Sequence, residues 1–264
     1  MLLENRRILV TGVLTEGSIA FHTARLAQEQ GAEVVLTGVG RSLTITRMVA
    51  ERLPVPCDVL EMDATSPTAI AEVAGELERR WGGLDGVLHA IAFAPPAALG
   101  GFLRTEWPDV ARTLEVSAYS YAALGRAFAP LLKSSPQGSL VGLDFDASRT
   151  WPGYDWMGVA KAGLESCNRY LARELGAQGT RVNLVAAGPL RTMAAQAIPG
   201  FTRFEQAWEQ APLAWDVRDP EPVARVVCAL FSAWMPAVTG AIIHADGGMH
   251  AVGPAGGTGE SAGA

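Results

Sequence analysis

The chain has 264 residues, of which 49% are hydrophobic, and this suits the sizeable core of a single α/β domain. No run approaches the roughly 20 apolar residues that cross a membrane, and the net charge of −6 argues against nucleic acid as a main partner. Cys57, Cys167 and Cys228 are widely spaced, so we expect no disulfide framework, no metal site and a reducing, cytoplasmic location. The N-terminus runs straight into a strand pattern and predicts no signal peptide.

Short apolar runs alternate with helical patterns along the chain. The strands are predicted at residues 7–11, 33–37, 59–62, 85–90, 139–143, 180–186 and 240–244. The helices are predicted at residues 18–30, 43–53, 67–81, 105–132 (bent near Pro130), 154–176 and 220–233. This alternation indicates βαβ units and therefore a seven-stranded parallel sheet, doubly wound and Rossmann-like, with helices on both faces. We expect one domain over residues 1–252 and a disordered tail over residues 253–264, where large apolar residues are lacking.

A glycine-containing turn joins the first predicted strand to the first helix. Gly12 and Gly17 lie five residues apart, and Ser18 follows directly. Strand, glycine turn and helix form the opening of dinucleotide-binding folds, because glycines admit a diphosphate close to the backbone and the helix N-terminus offers free N–H groups. The G-x-G-x-x-G pattern is absent, so this turn alone is a weak signal.

Small, polar and aromatic residues follow the other strands at their carboxyl ends. In a parallel sheet these ends share one edge, which is where ligands bind. The sequence therefore predicts a dinucleotide crevice bordered by Gly12, Ser18, Ile19, Asp63, Ala64, Ile91, Ala92, Phe93, Asp144, Phe145, Leu190 and Thr192.

Tyr154 and Lys161 form the candidate catalytic pair. They follow Pro152 and Gly153, where a helix is expected to begin, and lie seven residues apart. At roughly 3.6 residues per turn both side chains share one helix face, and we expect the ammonium to lower the pKa of the phenol. The alternative is a surface lysine beside a half-buried tyrosine. Only two of the 21 lysines and arginines are lysines, which favours a specific task for Lys161.

Several motifs resemble one family over about residues 4–250. They are Gly12-x5-Ser18-Ile19-Ala20, residues 84–89, Tyr154-x6-Lys161 with Met157, residues 187–190 and residues 245–248. These are similar to the NADH-dependent enoyl-acyl carrier protein reductases of the actinobacterial type, within the short-chain dehydrogenase/reductase superfamily. Ordinary members of that superfamily have Tyr-x3-Lys and a serine near the position of Phe145.

The resemblance implies hydride transfer from NADH to the β-carbon of a trans-2-enoyl thioester, with Tyr154 stabilising the enolate and Lys161 holding the nicotinamide ribose. It also implies a catalytic-site position for Phe145, an acyl carrier protein or coenzyme A thioester as substrate, and a homotetramer. The implied cofactor residues are Gly12, Ser18, Ile19, Asp63, Ala64, Ile91, Ala92, Lys161, Leu190 and Thr192. The implied substrate residues are Phe93, Ala94, Tyr154, Met157, Ala194, Ile198 and Phe201.

Departures from the family pattern leave other functions open. Ala90 and Ala92 stand where the family usually has serine and glycine, and the segment between Arg191 and Pro212 is short. Arg41 is the only cation close to the end of the second strand, so we expect a preference for NADH over NADPH. The alternatives are a reductase repurposed for a secondary-metabolite pathway and a catalytically silent nucleotide-binding regulator on the same fold.

Overall fold

The computed structural model describes residues 1–252, and its centre is one sheet of seven parallel strands. The strands are β1 (Arg7–Val10), β2 (Glu33–Gly38), β3 (Val59–Glu61), β4 (Gly86–His89), β5 (Ser139–Asp144), β6 (Arg181–Ala187) and β7 (Ile242–Ala245). Their order is β3-β2-β1-β4-β5-β6-β7, so the winding direction reverses between β1 and β4. The predicted fold class is confirmed, whereas the predicted tail at residues 253–264 lies outside the described residues.

Nine α-helices accompany the sheet within residues 1–252. They are α1 (Ile19–Glu29), α2 (Arg41–Ala50), α3 (Pro67–Trp81), α4 (Trp107–Leu114), α5 (Ser120–Lys133), α6 (Asp155–Gly176), α7 (Met193–Gln196), α8 (Thr202–Trp208) and α9 (Glu221–Phe231). Ser66 directly precedes α3 as its N-cap, where its side chain accepts a hydrogen bond from the Ala69 N–H. None of these described helices is both long and apolar enough to cross a membrane.

The core lies on both faces of the sheet because successive strand residues point in opposite directions. On β1, Ile8 and Val10 pack with Phe21 of α1 and Phe231 of α9. Leu9 points to the other face, where the core includes large side chains of α3 and α5 such as Trp81 and Phe128. Burial on both faces explains why the strands read as nearly continuous apolar runs.

The predicted helix over residues 105–132 is confirmed in extent but not in regularity. The α4 and α5 helices continue into one another through a π-helical turn at Glu115–Tyr119, and Pro130 lies inside α5. A contact to the loop after β4 accompanies this turn. The Ser117 hydroxyl accepts a hydrogen bond from the Phe93 N–H (2.9 Å) and donates one to the Phe93 carbonyl (3.0 Å). The irregular turn thus ties the helix to the Phe93 loop, and π-turns of this kind often occur at functional sites.

Gly12 holds the ends of β1 and β4 close together. Its φ is +77°, and a methyl group at this position would overlap the Ala90 carbonyl oxygen. We expect Gly12→Ala to lower the free energy of unfolding by about 2 kcal/mol or more, since it combines backbone strain with overpacking. Gly17→Ala is the matched control in the same loop, because nothing lies within 4 Å of an added methyl group there. Equal unfolding free energies for the two variants in urea titrations would contradict this account.

Candidate active site

Two connected cavities lie at the carboxyl ends of the strands. The larger has a volume of about 460 Å³ and extends over the ends of β1, β2, β3 and β4. The smaller has a volume of about 260 Å³ and lies between the start of α6 and the segment carrying α7 and α8. Lys161 borders both cavities, as do Ile19, Ala92, Phe93, Leu143, Thr192 and Ala194. Lys161 therefore lies where the two cavities meet, and together they form one continuous cleft.

The larger cavity gathers all but one of the residues expected to bind a cofactor. Gly12, Ser18, Ile19, Asp63, Ala64, Ile91, Ala92, Lys161 and Thr192 line it, while Leu190 lines the smaller cavity. Ser18 caps α1 by accepting a hydrogen bond from the Phe21 N–H at 3.1 Å. The capped N-terminus of α1 borders the cavity, and its partial positive charge favours an anionic ligand there.

Asp63 borders the larger cavity on the β3 side. Its carboxylate accepts hydrogen bonds from both the N–H (2.9 Å) and the hydroxyl (2.7 Å) of Thr65. These hydrogen bonds hold the pKa of Asp63 below its usual value, with a smaller contribution from Arg112. The carboxylate is therefore an ionised, fixed acceptor at this end of the cleft.

The smaller cavity is mainly apolar. All seven residues expected to bind substrate line it: Phe93, Ala94, Tyr154, Met157, Ala194, Ile198 and Phe201. Phe145 lies between several aromatic rings, with its ring edge-on to Tyr154 (5.3 Å between centroids) and to Phe204 (5.6 Å). Phe204 was not predicted as a site residue, although Phe204 and Trp208 are four residues apart and such spacing marks the apolar face of a helix.

Tyr154 precedes the first residue of α6 instead of lying within the helix. Gly153 has a φ of +79° and Asp155 a φ of +37°, so the chain makes a strained entry into α6. The Asp155 carboxylate accepts a hydrogen bond from the Gly101 N–H at 2.6 Å, which anchors this entry to the loop after β4. Lys161 follows along α6, and its Nζ donates a hydrogen bond to the Leu143 carbonyl at 2.8 Å. Both side chains of the pair consequently border the smaller cavity.

The expectation that Lys161 lowers the pKa of Tyr154 is wrong. Burial raises the pKa of the phenol, and the nearby Asp144 carboxylate raises it further. Burial also lowers the pKa of Lys161, while Asp144 opposes that change. Desolvation is the largest cause for each group because both are buried. The phenol accordingly keeps its proton and is available as a hydrogen-bond donor.

Asp144 is the ionisable residue of the site to which the sequence analysis assigned no role. It is the last residue of β5, is 5% exposed and borders the smaller cavity. Both carboxylate oxygens are buried without a hydrogen-bond partner within the described residues. Burial raises the pKa of Asp144 to about 7, although Lys161 acts to lower it. An acid at the end of a buried strand was visible in the sequence, but its lack of partners was not.

Fold and cleft together define a Rossmann-like α/β protein, in which the ligand site lies beside the point where the strand order reverses. A family model described as enoyl-(acyl carrier protein) reductase matches residues 12–250. The chain is 47% identical to the NADH enoyl-[acyl-carrier-protein] reductase of Mycolicibacterium smegmatis, covering 94% of this chain and 97% of the relative. It is 46% identical to the Mycobacterium avium enzyme with the same coverage. It is 36% identical to the Aquifex aeolicus enzyme, covering 96% of this chain and 94% of the relative.

The chain therefore belongs to the enoyl-(acyl carrier protein) reductase family, and the resemblance noted in the sequence is confirmed.

Proposed function

We propose that this protein reduces the trans-2 double bond of an enoyl thioester, carried on acyl carrier protein or coenzyme A, with NADH. The observation that carries the proposal is the position of Tyr154 and Lys161 in this family member. Both are buried where a nucleotide-sized cleft meets an apolar cavity. NADH supplies the hydride, and the protein supplies position and electrostatics.

The larger cavity suits a dinucleotide in both size and donors. A volume of about 460 Å³ is within the range of small-molecule sites. The N-terminus of α1, with Ser18 and Ile19, would hold the diphosphate, and Asp63 with Ala64 would flank the adenine. Lys161 uses one donor on the Leu143 carbonyl, so its other two would hold the nicotinamide ribose. Ile91, Ala92, Leu190 and Thr192 would enclose the nicotinamide half, beside the closely packed ends of β1 and β4 at Gly12.

The smaller cavity suits the acyl chain. Phe145, Met157 and Phe201 offer an apolar lining, and Phe93, Ala94, Ala194 and Ile198 border the same space. As the thioester oxygen gains negative charge, the Tyr154 hydroxyl would donate a hydrogen bond to it. That bond is stronger in a desolvated cavity than in water, because the surrounding dielectric is low. The raised pKa of Tyr154 keeps the proton available for this bond.

The family membership and the apolar cavity support an enzyme of fatty-acid synthesis. The free thiols of Cys57, Cys167 and Cys228 support a reducing, cytoplasmic location. Consumption of NADH with a short enoyl thioester such as a crotonyl thioester is the direct test, followed by absorbance. If the protein binds NADH but leaves simple enoyl thioesters unreduced, the repurposed secondary-metabolite reductase is favoured. If it binds no nicotinamide nucleotide, the proposal is wrong.

We expect replacement of Tyr154 to impair turnover and replacement of Lys161 to impair NADH binding. Tyr154→Phe should lower kcat about 100-fold, in keeping with the loss of one oxyanion donor, and leave NADH binding nearly unchanged. Lys161→Ala should weaken NADH binding itself, because it removes the donors to the ribose. Fluorescence titration with NADH and steady-state rates separate the two effects. Equal NADH affinity in the wild type and in Lys161→Ala would contradict the assignment of Lys161.

NADH is expected to bind more tightly than NADPH. On the β2 side the larger cavity is lined by Thr37, Gly38, Val39 and Ser42, none of which can neutralise a 2′-phosphate. The guanidinium of Arg112 also lines this cavity, but it is paired with Glu115 at 2.9 Å. Titration of both nucleotides measures the preference, and Arg41→Ala, at the start of α2, should leave NADH binding unchanged. Tighter binding of NADPH would overturn this prediction and point to Arg41.

A homotetramer is the assembly we propose, on the basis of the family resemblance. Exposed apolar side chains on α6 and on the π-helical turn before α5 support an assembly surface, since Tyr119 is 57% exposed, Val159 39% and Tyr170 67%. Light scattering at micromolar concentration should therefore give about four times the chain mass of 27.8 kDa. Tyr170→Glu should reduce that mass, and a wild-type protein that is monomeric would contradict the proposal.

A further inference from the structure

Asp144 and Lys161 are two buried ionisable residues, one at the end of β5 and the other on α6. Lys161 donates its hydrogen bond to the carbonyl of Leu143, the residue directly before Asp144. Asp144 is 5% exposed and Lys161 is 6% exposed. Both border the smaller cavity, so the ammonium and the carboxylate share the same desolvated space.

Neither charge is matched by a direct ion pair within the described residues. The Asp144 oxygens have no hydrogen-bond partner, and no nitrogen–oxygen distance between Asp144 and Lys161 is within the 4.0 Å of an ion pair. A buried charge without compensation is costly, because it loses its hydration. In a medium of low dielectric, two opposite charges that border the same cavity still attract each other. Each group therefore offsets part of the cost of burying the other.

We propose that Asp144 is a positioning residue that keeps a proton on Lys161 at and above neutral pH. It acts through Lys161 and is assigned no contact with the substrate. Its consequence for catalysis rests on the proposed reductase function, in which Lys161 must be an ammonium to hold the ribose. The charge coupling itself does not rest on that function and is tested separately.

The direction of the coupling follows from the two ionisations. Asp144, with a pKa of about 7, loses its proton as the pH rises through neutrality. The resulting carboxylate opposes the effect of burial, which lowers the pKa of Lys161. Without Asp144, Lys161 would lose its proton at lower pH. Asp144 and Lys161 each exchange a proton with solvent, and no covalent bond to carbon forms or breaks.

Other ionisable groups face the pair from the surrounding elements. They are Tyr154 and Glu165 on the α6 side, Asp146 after β5, Tyr121 on α5 and His89 on β4. Burial lowers the pKa of His89 to about 3 and raises that of Tyr121, so both stay uncharged near neutrality. Asp146 is bound to Arg149, and Glu165 accepts a hydrogen bond from the Ala147 N–H at 3.3 Å. Asp144 is the acid whose charge raises the pKa of Lys161.

The chain permits a direct measurement because it has only two lysines, Lys133 and Lys161. Protein labelled with ¹³Cε-lysine should give two lysine signals by NMR, each followed as the pH is raised. In Asp144→Asn the Lys161 signal should titrate at lower pH than in the wild type, while the Lys133 signal stays unmoved and reports an intact fold. Glu165→Gln is the matched control, since it removes an acid from the same region and should leave Lys161 nearly unchanged.

A variant of the other partner, Lys161→Met, keeps the inference testable if Asp144→Asn does not fold. Lys161→Met should raise the pH at which the Asp144 carboxyl titrates, measured with ¹³Cγ-aspartate labelling. In NADH titrations of Asp144→Asn, the loss of affinity at high pH should begin at lower pH than in the wild type. An unchanged Lys161 titration in Asp144→Asn, or an unchanged Asp144 titration in Lys161→Met, would overturn the inference. A shifted titration in a protein without reductase activity would uphold the inference and reject the proposed function.

Discussion

The hydrogen bond from Lys161 to the Leu143 carbonyl is the interaction on which the geometry of the site depends. It joins α6 to the end of β5 and places a buried ammonium at the joint of the two cavities. Lysine is costly to bury because its charge loses water. A backbone acceptor at 2.8 Å offsets part of that cost and leaves two donors toward the cleft. The position of Lys161 is thus set by the end of β5 in the sheet.

Tyr154 is held in place by loop contacts, although it lies just before the regular part of α6. Asp155 adopts a left-handed conformation, and its carboxylate binds the Gly101 N–H. Gly153 approaches the Pro199 carbonyl so closely that an added methyl group would lie 2.8 Å from it. Tyr154 is consequently placed by two loops, after β4 and before α8, and Lys161 by the sheet. A change in either loop would move the phenol relative to the ammonium without unfolding α6.

The sequence predicts the fold and the convergence of the candidate site residues on one cleft, because both follow from local pattern and topology. Buried apolar runs alternating with helices determine a parallel sheet, and a parallel sheet brings Gly12, Asp63 and Phe145 to one edge. The π-turn at Glu115–Tyr119 was not predictable, since it accompanies a tertiary contact between Ser117 and Phe93. The pKa of Tyr154 was mispredicted because its direction depends on burial, and spacing along a helix carries no information about that.

The loss of hydration on burial affects the ionisation of all three of Tyr154, Lys161 and Asp144. Burial favours the uncharged forms of Tyr154, Lys161 and Asp144 alike, because each charged form loses its hydration in the cleft. In the proposed reduction the developing enolate changes this balance, because its negative charge appears beside a neutral phenol and an ammonium within the same apolar space. Interactions that are weak in water become strong there, and they arise only as the charge develops. An ionised Asp144 would oppose the enolate directly while preserving the ammonium, so the two effects of its charge act in opposite directions.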